Sequence, residues 1–242
     1  MKQHLNTIII AVGIIAAAII LGGSWKRTHV ANESISVTGL ASEDFVSDLI
    51  VWDGYFTADA TNTKDAYAQL KKDAEVIKKY LIGKGLTEKE IVFSSVKINT
   101  DYEYVYNKEG GSTSKFKGYT LTQNVSVESK NVDKVETISR EVGELIDLGV
   151  NYISYSPQYY YTKLAELKIK MLSKATEDAR SRAESIATNA KAGLGSLKKA
   201  NMGIFQITAQ NSDEDFTYGG VFNTSSKNKT ASVTVRLDFG IR

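Results

Sequence analysis

The residues best equipped for recognition chemistry are tyrosines, of which the 242-residue chain has thirteen. Tyr102, Tyr104 and Tyr106 occupy every second position of one stretch, and Tyr155, Tyr159 and Tyr161 share the same parity in another. Alternate positions of an extended strand point to the same face, so each set forms an aromatic face. Such a face can cover a core, meet another subunit, or stack a small aromatic ligand or a sugar. Of these, burial in the core is the commonest fate of an aromatic ring.

Other chemistry is thinly represented. Cysteine is absent, which excludes disulfides, thiolate catalysis and Cys-based zinc sites. The two histidines, His4 and His29, both precede the folded body, which excludes a His-centred triad or zinc site there. A net charge of +2 offers no basic excess for neutralising phosphates, so no nucleic-acid partner is expected. Asp213, Glu214 and Asp215 cluster in a polar segment. Hard cations want several oxygens, but the alternating spacing and turn glycine of a calcium loop are missing, so the cluster reads as a solvated acidic loop. Glu177, Asp178, Arg180, Arg182 and Glu184 read as a solvated helix face with local pairing. Gly193-Leu194-Gly195 follows a helix, the wrong order for a dinucleotide site. No pair of carboxylates is marked out for glycosidase-type work. The expectation is a non-enzyme with no cofactor and no metal.

The element that must organise the rest is a helix over residues 162–192, about 45 Å long. Leu164, Leu167, Met171, Ala175, Ala179, Ala183, Ile186 and Ala190 recur there at gaps of three and four. Thr162 is the expected N-cap, and Gly193 the expected left-handed residue past the end. The Ala-rich half of the stripe lets another backbone come close.

In chain order, Ile35-Ser36-Val37-Thr38-Gly39 reads as a strand ending at Gly39. Residues 48–60 form a second strand with apolar side chains on both faces, as in a central strand covered on both sides. Asn62 or Thr63 caps a helix bearing Ala66, Leu70, Ala74, Ile77 and Leu81, stopped by Gly83 and Gly85. Residues 91–106 are extended, 107–114 make a hairpin tip, and 117–128 return with Tyr119, Leu121, Val125 and Val127 facing in. Asn131 caps a helix carrying Val135, Ile138, Val142, Leu145 and Ile146 up to Gly149. Residues 151–161 are a strand that must be an edge or carry a bulge, because Pro157 lacks the ladder donor. After the long helix, residues 198–210 are extended, 211–228 a polar loop, and 230–242 a strictly alternating strand. The order ββαββαβαββ predicts an α+β fold of antiparallel or mixed sheets with helices packed on one face. Residues 34–242 form the body, divisible into lobes at about 34–130 and 131–242.

Residues 5–25 contain no charge and include Leu5, Ile8, Ile14, Ile20 and Trp25. Their length suits a bilayer span, and the Ile- and Ala-rich heart suits a signal sequence. An uncleaved signal anchor within residues 1–33 is the preferred reading over a cleaved peptide, for which Leu21-Gly22-Gly23-Ser24 is the nearest cleavage site.

Several of these segments together resemble the SIMPL-domain family. The segments are Ile35-Ser36-Val37-Thr38-Gly39, Asp48 before a hydrophobic strand, Gly85-Leu86 leading to Ile91-Val92-Phe93-Ser94-Ser95, and Gly118-Tyr119 opening a strand that ends Asn124-Val125-Ser126-Val127. Gly149-Val150-Asn151-Tyr152-Ile153, the Ala-rich helix 175–192, and Ala231-Ser232-Val233-Thr234-Val235-Arg236-Leu237 complete the series. Bacterial members of that family include a periplasmic immunogenic protein and an oxidative-stress-defence protein. The resemblance implies a translocated bacterial envelope protein, periplasmic or otherwise extracytoplasmic, held by its N-terminus or secreted if cleaved. It implies no catalytic residues, homo-oligomers that are ring- or channel-like in some members, and a role in envelope or oxidative-stress defence. The alternative is a glycan- or small-ligand-binding module using a tyrosine face; a carboxylate-based enzyme ranks third.

Overall fold

The computed structural model describes residues 13–20, 33–106, 111–214 and 217–242. Residues 13–20 are helical (α1) and exposed. They contain Ile14 and Ile20, whereas Leu5, Ile8 and Trp25 lie outside the described residues. Among the described residues, no helix is long and apolar enough to cross a membrane.

Two antiparallel sheets build the body. The first holds β1 (Ser34–Val46), β8 (Leu194–Met202), β9 (Gln206–Ala209) and β10 (Asn228–Ile241), with β10 central between β1 on one side and β8 and β9. The second holds β2 (Leu49–Ala60), β3 (Ile91–Phe93), β4 (Lys97–Tyr106), β5 (Ser112–Ser129), β6 (Tyr152–Ser154) and β7 (Gln158–Tyr160). There β2 and β5 pair centrally; β3 and β4 flank β5, and β6 and β7 flank β2. Helices α2 (Thr63–Gly83) and α3 (Val132–Glu141) pack on this second sheet, and α5 (Leu164–Asn189) packs on the first. A four-residue helix, α4 (Glu144–Asp147), follows α3. The fold is therefore α+β. When segments split by short breaks are rejoined, the element order is ββαββαβαββ.

Each sheet has its own core. Ile50, Trp52 and Phe56 of β2 and Leu121, Val125 and Val127 of β5 meet Leu70, Ile77 and Leu81 of α2. The indole Nε1 of buried Trp52 donates to Ser154 Oγ at 2.9 Å, so its one polar atom is satisfied. Only this face of β2 is fully buried; Leu49, Val51 and Tyr55 on the other face are half-exposed. The strand is central, but it is covered on one side rather than two.

The other core is made by α5, whose buried residues are Leu167, Met171, Ala175, Ala179, Ala183 and Ala187, one every fourth position. Such a row runs obliquely to the helix axis. It lies over Val37 and Ala41 of β1 and alternate residues of β10 from Ala231 to Phe239. Ile186 and Ala190 fall off this row and are exposed, while Ala187 takes the buried place. The strand does not end at Gly39 but runs on to Val46, because the glycine's task is to seat the helix: a Cβ there would lie 2.5 Å from Ala179 N and nearer still to Ala175 O.

The caps divide. Asn62 accepts from Asp65 N at 2.9 Å and Asn131 from Lys134 N at 3.2 Å, as the spacing predicts. Thr162 does not cap α5. Its amide and hydroxyl both donate to the Asp48 carboxylate at 2.7 Å, and Lys163 takes the cap position without a side-chain bond. Past the helix the left-handed residue is Lys191, with φ 55°, and not Gly193. The predicted single helix after Asn131 breaks at Val142–Gly143, which leaves Ile146 exposed.

Candidate functional site

The structure disperses the six tyrosines. Tyr102 and Tyr104 lie on β4 with Tyr106 at its end. Before Tyr119, residues 112–118 of β5 have no β2 partner, so β4 and β5 project there as a two-stranded arm. Tyr102 and Tyr104 are 55% and 65% exposed on this arm. The Tyr102 ring meets Phe116 edge-on, and Phe116 meets Tyr119 at 5.3 Å between centroids. Tyr155 sits in the break between β6 and β7, exposed, 5.8 Å from the Tyr55 ring. Tyr159 is buried, and Tyr161 packs on Phe45 in the other core. The shared face expected across residues 151–161 is lost at Pro157, where the strand breaks and its alternation restarts. Tyr152 and Tyr159, seven residues apart, are the two that end up buried.

At the base of the arm, Asp59, Asp101, Lys117, Tyr119 and Thr120 line a groove of about 270 Å³. The Thr120 hydroxyl lies 2.6 Å from Asp59 Oδ1 and is also bonded to Asp101 Oδ2. A hydroxyl donates only one proton, so one carboxylate lacks a donor from it at any moment. The groove thus offers acceptor oxygens beside an aromatic ring. A second groove of about 370 Å³, lined by Leu40, Ile204, Gln206, Tyr218 and Thr234, opens on the first sheet.

The remaining charges mostly brace the fold. Asp215 lies outside the described residues; its neighbour Glu214 accepts from Ala209 N and Asn223 Nδ2. Among the described residues, no group of three or more His, Asp or Glu could hold a metal ion. On α5, Arg180 pairs with Glu184 and Arg182 with Asp178 at 2.9 Å, the expected local pattern. Asp178 also accepts the Leu40 amide of β1 at 2.9 Å, and that bond is the leading cause of its lowered carboxyl pKa.

Two buried groups escaped the sequence reading. Lys229 of β10 is only 2% exposed, and its ammonium donates to the carbonyls of Tyr159, at 2.7 Å, and Asn223. Burial lowers its pKa to about 8. The signal was present: Lys229 shares the parity of Ala231, Val233 and Val235, the buried face of its strand. Tyr152 has a buried hydroxyl without a hydrogen-bond partner, set against Gly54, and burial raises its phenol pKa. Removing that orphaned oxygen should cost nothing. Tyr152→Phe is expected to be neutral or to stabilise the fold by up to about 1 kcal/mol, read from the urea midpoint. A loss of more than 1 kcal/mol would mean that the hydroxyl has an unseen partner.

Fold and surface together define a two-sheet α+β protein whose exposed features are an aromatic arm and open grooves. The chain belongs to the SIMPL family, a protein family of unknown function (DUF541), whose model matches residues 35–239. None of the curated proteins matches it.

Proposed function

We propose that this is a non-enzymatic, extracytoplasmic protein of the bacterial envelope that assembles with copies of itself, in a ring or channel, and serves envelope or oxidative-stress defence. The observation that carries the assembly reading is the arm formed by β4 and β5. A two-stranded ribbon is marginal in water by itself, and this one exposes Tyr102, Tyr104 and Phe116. Burying those rings against another copy removes that weakness. The apolar run at residues 5–25 supports delivery to, and retention at, a membrane. Size exclusion with light scattering on residues 26–242 is expected to give one discrete multiple of the chain mass. A single-chain mass would overturn assembly by the body. Alkaline extraction of membranes carrying the full chain tests anchoring, and peroxide survival of a deletion strain tests the defence role.

A second reading is a glycan-binding module, supported by the groove beneath Tyr119 with its paired carboxylates. Aromatic stacking and acceptor oxygens are the usual elements of sugar recognition. On this reading Tyr119→Ala abolishes glycan binding with the fold intact; an empty glycan array would remove it.

A further inference from the structure

A strand at the edge of a sheet presents unpaired amide and carbonyl groups, and folded proteins shorten, cover or charge such edges. Four of the edges here are managed in those ways. Leu40 of β1 gives its amide to Asp178 of α5, which caps that edge at one point, and Lys170 and Lys174 clamp Glu43 further along. On β7, the Tyr159 amide donates to Thr224 O of the loop before β10. Strands β3 and β6 have three residues each.

Two long edges have no such cap among the described residues. Ten-residue β4 pairs only with β5, and nine-residue β8 pairs only with β10, among the described residues. From Ser196 to Met202, β8 is exposed at every position. The two edges are matched in length and opposite in net charge. On β4, Lys97 stands at the start and Asp101 and Glu103 alternate with the tyrosines, whereas β8 has no acid and carries Lys199 and Lys198, the latter donating to Glu33 O. Each also exposes apolar side chains: Tyr102 and Tyr104 on β4, Leu197 and Met202 on β8.

We propose that the outer edge of β4 in one copy adds to the outer edge of β8 in the next, extending the first sheet of one copy with the arm of another. The proposal rests on the self-assembly reading and names the surface that performs it. Backbone ladders supply the affinity in strand addition, and the side chains on alternate positions supply the selectivity. Pairing the arm-end half of β4 with its own counterpart about Tyr102 would instead set Asp101 of one copy opposite Glu103 of the other, and like charges across strands are unfavourable. Because the two surfaces differ, every copy keeps one donor edge and one acceptor edge. Such a head-to-tail contact closes into a ring or propagates as a filament.

Cysteine-free chains make the test clean. Full-length protein carrying Glu103→Cys is mixed, under mild oxidation, with protein carrying Leu197→Cys, Lys198→Cys, Lys199→Cys or Ala200→Cys in turn. The expected result is a disulfide-linked dimer in at least one mixture and none from Glu103→Cys alone. Charge reversal gives an independent readout: Glu103→Lys and Lys199→Glu each weaken assembly at least tenfold, and mixing the two restores it. Cross-linking of Glu103→Cys only to itself would overturn the proposal in favour of β4 pairing with β4. A wild-type assembly with no cross-link in any mixture would overturn the proposal while leaving self-assembly standing. A monomeric wild type would overturn both.

Discussion

Gly39→Val is expected to destabilise the protein by about 3 kcal/mol or more, the upper range for overpacking a close contact. The reason is the identity of the neighbours. A side chain at Gly39 would meet Ala175 O and Ala179 N, which are backbone atoms of α5, and Ala179 Cβ at 2.7 Å. None of these can rotate away, so the whole helix would have to lift from β1 and β10. Even Gly39→Ala puts a Cβ into that space and should be nearly as costly. A chain of this size loses about 2–4 °C of Tm per kcal/mol, so a fall of roughly 6–12 °C is expected in a thermal melt. Gly219→Ala is the control, since a Cβ there meets nothing within 4 Å. If Gly39→Val melts together with Gly219→Ala, α5 does not lie where its alanine row puts it.

Lys229→Ala is expected to cost about 3 kcal/mol at neutral pH. Truncation leaves a void and strips Tyr159 O and Asn223 O of their donor, and a buried acceptor without a partner costs about 1–3 kcal/mol. The effect reaches beyond one core, because the lysine ties β10 to β7 of the other sheet. Its pH dependence has a definite sign. Burial lowers the folded pKa to about 8, while the unfolded value is about 10.4. Between those limits the unfolded chain holds a proton that the folded chain has released, so stability from this group rises with pH. Below about pH 8 both states are protonated and the desolvation cost is borne in full. A neutral amine still has two hydrogens, one for each carbonyl. Wild type should therefore gain on the order of 1–3 kcal/mol relative to Lys229→Met between pH 7.5 and 10. Urea midpoints across that range would show it, and a flat difference would mean that the ammonium is as well solvated inside as outside.

Both sites bear on what the sequence discloses. Period-two patterning located the strands wherever one face is buried, and β10 follows its alternation from Ala231 to Phe239 without a fault. Short-range polar chemistry was equally legible in Asn62 and Asn131, whose side chains serve amides three residues away. Long-range demands were not. Thr162 looks like a cap locally, but Asp48, which is 114 residues earlier, claims its hydroxyl. Gly39 looks like a stop, but a helix that begins over a hundred residues later needs its missing side chain. Alternate tyrosines share a face only where the strand runs unbroken. β4 does so on the arm, whereas the strand breaks at Pro157, and Tyr155 goes to solvent and Tyr159 inward. The open edges were invisible for a related reason: whether a strand is an edge depends on which partners arrive, and parity carries no record of that.

The first sheet joins the two ends of the described body. Ser34 pairs with Gly240, and Val46 with Asn228. The second sheet, in contrast, is complete once Tyr160 is available. A chain made or threaded from its N-terminus therefore produces β1 early and must keep it idle while the whole second sheet assembles. Closing a ladder across roughly two hundred intervening residues is a slow step, as high contact order dictates. During that interval β1 is an unclaimed strand, and holding it soluble becomes the work of whatever accompanies the nascent chain. Trapping chains halted before residue 228 should accordingly give a folded second sheet with β1 still open to proteolysis.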